Sequence, residues 1–250
     1  MKKVKEWSSS IILTLMLLLI WQVIAYVVAM PFILPSPVEV CVRIWELKDV
    51  LFIEHLPSTL RIILIGLAIS IVVGVVVAIW MNNNKTIERA IYPILVASQT
   101  IPIIALAPIF VLWFGYSIWS KVVVTVLITF FPITVNTFDG LRSTRREHVE
   151  LLKTMGATKR DFFMKLSVPA ALPHFYSGLK VAVTLSIIGA AIGEWLGAQA
   201  GLGYFSRRMM TQFDGAGVFA PIVVLSLIGI ISFIGITWIE RKSLKWRKFK

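Results

Sequence analysis

Six stretches of this chain are apolar for most of their length, near residues 11–30, 58–81, 90–114, 119–138, 175–196 and 219–239. A helix that crosses the hydrocarbon core of a bilayer needs ~20 such residues. In lipid every backbone N–H and C=O must find a partner inside the protein, which leaves helices and closed barrels as the spanning structures. Runs of this length therefore predict an all-α polytopic membrane protein with six transmembrane helices. Composition agrees: 58% of the 250 residues are hydrophobic and 15% are charged, where a soluble domain carries about a quarter charged residues. Mean hydropathy is +0.85. The first run follows MKKVK. It exceeds the ~7–15 residues of a secretory signal and is not followed by an A-x-A-type cleavage site, so we read it as an uncleaved span.

Charge sets the orientation. The net charge is +12, and the basic residues lie mostly between spans, so the positive-inside rule accounts for them and no nucleic-acid partner is expected. Lys2, Lys3 and Lys5 precede the first span, and Lys85 and Arg89 follow the second. Arg142, Arg145, Arg146, Lys153, Lys159, Arg160 and Lys165 follow the fourth, and six more basic residues follow the sixth. Both termini are expected in the cytoplasm. The chain divides into an N-terminal span with its outer loop (1–57), a core of spans with a cytoplasmic loop at 141–173 (58–239), and a basic tail (240–250). Membrane lipid surrounds the whole.

The lone cysteine, Cys41, excludes an intrachain disulfide and reads as a small semi-buried side chain. His55, His148 and His174 have no metal-ligand spacing, so no metal site is expected. Span two repeats Gly66, Ser70, Gly74 and Ala78; span five repeats Gly178, Ala182, Ser186, Ala190 and Glu194 beside Gly189, Gly193 and Gly197. Small residues at this spacing let helices approach closely in lipid, either within the chain or between subunits. Pro93, Pro102, Pro108 and Pro132 punctuate spans three and four, and Ser98, Gln99 and Thr100 put polar groups near mid-membrane depth. That pattern marks either the wall of a pathway, lined by Gln99, Thr100, Pro102 and Asn136, or a kinked packing helix. Glu194, near the outer end of span five, reads as an interfacial acid or as a group at the outer mouth.

The cytoplasmic loop contains ELLKTMGATKRDFFMKLSVPAALP, residues 150–173. EHVELLKTM favours a helix, and Gly156 fits the left-handed position that ends one. Thr158 with Asp161 three residues on is a variant capping box that starts another. That second helix carries Phe162, Phe163 and Leu166 on one side, and Pro169 is expected to end it. Apolar side chains on a small basic helix dock into a partner's groove or lie on the inner leaflet.

The same stretch resembles the cytoplasmic EAA loop of ABC importer permeases. Glu150, Leu151 and Leu152 stand for Glu-Ala-Ala; then come three residues, Gly156, nine residues, Leu166, one residue, and Val168-Pro169. The spacing holds throughout while the two alanines are leucines. QTIPIIALAPIFVLWFG, FFPITVNTFDGLRS and GEWLGAQAGLGY are similar to permeases for sulfonate, taurine, nitrate and thiamine precursors, and the stretch SGLKVAVTLSIIGAAIGEWLGAQAGLGY looks most like the branch handling hydroxymethylpyrimidine-type thiamine precursors.

The resemblance implies the MetI-like ABC importer permease fold and a chain that does no chemistry. It implies no cofactor on this chain, with ATP and Mg on two copies of a partner ATPase, an extracytoplasmic solute-binding protein, and a second permease copy. Glu150, Leu152, Met155, Gly156, Ala157, Phe162, Phe163, Leu166 and Pro169 would form the ATPase-coupling loop. Consistent with this, the chain lacks a G-x-x-x-x-G-K-[ST] phosphate loop. An ATP-independent channel would share the prolines and small-residue stripes but leaves the loop spacing unexplained. A membrane-embedded enzyme would need a catalytic cluster, and HExxH and GxSxG are absent.

Overall fold

The computed structural model describes residues 2–246, with side chains from residue 9 onward. The charged side chains of Lys2, Lys3 and Lys5 and the tail residues Arg247, Lys248 and Lys250 lie outside it. Among the described residues every regular element is helical: α1 (Lys2–Val28), α2 (Pro37–Glu46), α3 (Leu56–Asn83), α4 (Lys85–Ser98), α5 (Ile103–Phe114), α6 (Ile118–Arg142), α7 (Arg146–Thr154), α8 (Lys159–Phe162), α9 (Val168–Gly197), α10 (Leu202–Thr211) and α11 (Gly215–Ser243).

The core is a three-helix layer with α6 in the middle. On one side lies α3, whose small residues meet α6 in step. A methyl at Gly66 would stand 2.7 Å from the Thr125 side chain, and one at Gly74 3.0 Å from Ile133. Between them the hydroxyls of Ser70 and Thr129 are 2.6 Å apart. On the other side lies α9. A methyl at Gly178 would sit 2.5 Å from the Pro132 carbonyl oxygen, and at Gly189 and Gly193 2.9 Å from the α carbons of Thr125 and Lys121. Both stripes therefore serve packing within the chain. With no hydrophobic force between helices in lipid, close backbone contact of this kind is what holds them together.

This register also decides what the third span is. Pairing of 66 with 125 and 74 with 133 makes α3 and α6 parallel. The chain must cross the membrane once between them. The proline-punctuated span expected over 90–114 is two helices, α4 and α5, bent by 100°. The pair is thus one broken span, and with the five unbroken helices the count is six. The break has a local cause. Pro102 brings no N–H and pushes Ile101 out of the helical region. The Ser98 and Thr100 hydroxyls turn back onto the carbonyls of Leu95 and Ala97 (both 2.7 Å) and finish α4.

Pro169 does not end the loop helix as expected. A π-helical turn over Phe163–Ser167 carries the chain straight into α9, with the Val168 N–H reaching back to the Phe163 carbonyl. The widened turn makes room for the proline ring one residue on. Pro57 is handled the same way: a π turn over Val50–His55 leads into α3, and the Leu56 N–H bonds the Leu51 carbonyl. Two smaller differences concern the ends of the chain. Cys41 is exposed on α2 rather than semi-buried. Leu244, at the start of the basic tail, is fully buried against Ile133, Tyr176 and Leu179.

Candidate functional site

Three regions carry side chains that packing alone does not explain. The first is the loop between α6 and α9, at the end that the charge rule assigns to the cytoplasm. Gly156 has φ +72° and open space around its α carbon, so the backbone conformation and not crowding selects glycine. Its N–H bonds the Lys153 carbonyl, and the Ala157 N–H bonds the Leu152 carbonyl (both 3.0 Å), closing α7. Thr158 and Asp161 form both halves of the capping box, at 3.0 and 3.3 Å. The turn is therefore fixed by local bonds.

What it displays differs in part from expectation. Met155 is 71% exposed, with Leu151 and Met164 also in the open. Phe162, Phe163, Leu166, Leu152, Ala157 and Pro169 are half-buried, and Glu150 is exposed. Phe163 lines a cleft of its own bundle with Val75, Ile79 and Leu141. The exposed apolar side chains of the loop are thus Leu151 and Met155 on α7 and Met164 after α8. Phe163 ties the loop to α3 and α6.

The second region is the break in the third span. Gln99, Thr100 and Pro102 are all exposed there, next to an exposed Ser98. Irregular backbone at membrane depth is tolerated where it lines water or is covered by protein. Immediately beyond it, an apolar groove of about 560 Å³ runs between α5, α9 and α11, lined among others by Ile104, Thr184, Trp195 and Ser226. Asn136 does not join Gln99, Thr100 and Pro102. It is half-buried beside Gly178, and its side-chain amide donates to the Pro132 carbonyl of its own helix at 2.8 Å.

The third region lies at the outer end, and Glu194 is its centre. Far from being an interfacial acid, Glu194 is fully buried. Its Oε1 accepts from the Thr59 hydroxyl and its Oε2 from the Gly203 N–H, both at 2.7 Å. The Thr59 oxygen also accepts from the Leu202 N–H at 2.9 Å, and His55 Nδ1 accepts from the Gly201 N–H at 3.1 Å. Three successive N–H groups opening α10 are thereby satisfied by the π turn before α3, by α3 and by α9. Gly201, at φ +122°, could not carry a side chain, since a methyl would stand 2.2 Å from the Glu194 carboxylate. Beside this node, Lys121 caps the carbonyls of Tyr116 and Ser117 at 2.8 and 2.9 Å.

Of the residues singled out from sequence, Gln99, Thr100 and Pro102 come together, and so do those of the loop. Asn136 and Glu194 lie elsewhere. His55, Thr59 and Lys121 were not foreseen. A second outer contact joins α2 to the start of α11: Arg43 bonds Asp214 at 2.7 Å and Glu46 at 2.7 Å, and these carboxylates, Glu46 foremost, raise its pKa.

Comparison with known proteins fits this layout. Residues 70–245 match the family described as binding-protein-dependent transport system inner membrane component. The chain is 63% identical over 234 residues to the formylaminopyrimidine transport permease of Halalkalibacterium halodurans, covering 94% of each chain. It is 34% identical over 245 residues to the riboflavin transport system permease of Chloroflexus aurantiacus, covering 96% of this chain and 91% of that one. Among solved structures, the inward-facing MetNI methionine ABC transporter superposes with a TM-score of 0.65 at 19% identity, over 74% of this chain and 92% of that one. The last likeness establishes the fold.

Proposed function

Because the chain belongs to the family of binding-protein-dependent transport system inner membrane components, we propose that it forms the solute pathway of an ATP-driven importer for a pyrimidine-type thiamine precursor. It is a multi-pass permease subunit of a prokaryotic inner membrane. The observation that carries the mechanism is the exposure of the apolar side chains of Leu151, Met155 and Met164 on a loop whose turn is locked by Gly156 and the Thr158–Asp161 box. Apolar groups held rigidly in water favour a groove on a partner.

In this reading each of two permease copies offers its loop to one of two ATPase copies, which bind ATP and Mg. Nucleotide-driven closure of the ATPases moves the loops, and the loops bias the permease between inward-open and outward-open states. The solute passes between the two permease copies, along the wall formed by Gln99, Thr100 and Pro102. A solute-binding protein delivers it at the outer end, where α2 and α10 lie. The choice of cargo is supported by the 63% identity to a formylaminopyrimidine permease over nearly the whole of both chains.

The test is reconstitution with the ATPase and binding protein of the same organism in proteoliposomes. ATP-dependent uptake of radiolabelled formylaminopyrimidine, and none of taurine, is expected. Flux without ATP would replace the importer by a channel. Uptake of taurine in its place would remove the proposed cargo.

A further inference from the structure

The loop reading leaves open how motion at α7 reaches the break in the third span. One contact lies on that route. Arg142, the last residue of α6, donates from both terminal nitrogens to both carboxylate oxygens of Glu88 in α4, at 2.6 and 2.5 Å. Its guanidinium also stacks over the Phe138 ring at 4.5 Å, and Phe138 in turn meets Tyr92 of α4, 6.0 Å between centroids. Glu88 and Tyr92 are one turn apart on α4, and Phe138 and Arg142 one turn apart on α6, so two matched side-chain contacts bridge the helices. Both charges are also well placed for their helices: the acid is in the first turn of α4 and the base in the last turn of α6.

A two-pronged arginine–carboxylate pair fixes orientation as well as distance. It adds little to stability where water reaches it, and here the side chains are 43% and 23% exposed. Its worth therefore lies in position. On one side of Arg142 only Ser143, Thr144 and Arg145 separate it from α7. On the other, α4 is a single helix from the clasp to the break at Gln99, and Leu95 near its far end is buried with Phe138 against Ala78 and Met81 of α3.

We infer that the Glu88–Arg142 pair is a positioning clasp that makes α4, and with it the broken span, follow the cytoplasmic loop during transport. This rests on the importer reading above. The experiment uses the full complex of permease, ATPase and binding protein in proteoliposomes. Glu88→Gln and Arg142→Met should keep ATPase association and ATP hydrolysis near wild type, while solute moved per ATP falls about tenfold. The exchange Glu88→Arg with Arg142→Glu should restore part of the ratio, because it remakes the pair while setting both charges against their helix ends.

A second readout needs no cargo. Spin labels at Ile94 on α4 and His148 on α7, both exposed, can be placed in a Cys41→Ser background because Cys41 is the sole cysteine. Their separation should stay constant on ATP binding in the wild type and change in Arg142→Met. Unchanged coupling with an unchanged separation in that variant would overturn the clasp. So would hydrolysis and uptake falling in parallel. Absence of any ATP-driven uptake by the wild type would count against the importer reading, while the label distances would still judge the clasp.

Discussion

The two ends of the bundle solve opposite problems. At the cytoplasmic end Leu151, Met155 and Met164 are apolar and exposed on a loop held in shape by a few local bonds. At the outer end Glu194, Thr59 and His55 are polar and buried, and they satisfy the opening N–H groups of α10. A buried polar group left without a partner is penalised heavily, so a network of this kind admits one arrangement and makes a rigid support. An exposed apolar face gains nothing alone and is completed by another chain. The difference separates residues whose loss damages the fold from residues whose loss damages assembly.

Mutations can break or sharpen that division. The largest effect is expected at the outer node. Gly201→Ala puts a methyl on the Glu194 carboxylate at a backbone angle that alanine resists, and Glu194→Ala strands the Gly203 N–H and leaves the Thr59 hydroxyl only its longer bond to the His55 carbonyl. Each should destabilise the detergent-solubilised protein by about 3 kcal/mol, read as a lowered unfolding temperature. If Glu194→Ala melts like the wild type, the node is no support.

Next comes the loop face. Leu151→Asp combined with Met155→Asp should weaken ATPase binding about a hundredfold while the unfolding temperature of the isolated permease stays put. Phe163→Asp separates the two classes further. Phe163 lines the cleft with Val75, Ile79 and Leu141, so this change should lower thermal stability as well as ATPase binding.

Smaller effects are expected from the turn. A β carbon added at Gly156 meets no neighbour within 4 Å, so the penalty of Gly156→Val comes chiefly from backbone strain, about 1–2 kcal/mol. Gly156→Asn should be milder because asparagine tolerates the left-handed region. ATPase titration of the two variants checks the order. Thr158→Ala removes one cap and should cost about 1 kcal/mol of local stability, visible as faster amide exchange over 159–162 with ATPase binding nearly unchanged.

How far each region could be read from sequence follows from the range of its interactions. The loop was legible because its signals are local: Gly156 closes one helix, and Thr158 with Asp161 opens the next within a few residues. The face it presents was less so. Whether Phe163 points outward or into a cleft depends on Val75, far away in the chain. The six spans follow from run length, and the small-residue stripes announced close packing, but nothing in them names α6 as the shared partner. Pro102 marked a disturbance in span three without giving the angle. The outer node was illegible because Thr59 and Glu194 are 135 residues apart, and His55 and Gly201 are 146 apart. An acid at the end of an apolar run looks interfacial until the chain that covers it is known.

The most direct test of the account is the affinity of the purified permease for its ATPase, measured for the wild type and for the Leu151→Asp, Met155→Asp protein at matched thermal stability. The account predicts a tight wild-type complex and a variant that is folded yet fails to bind. A variant that binds as tightly as the wild type would mean that the exposed loop face is not where ATP hydrolysis takes hold of this membrane protein.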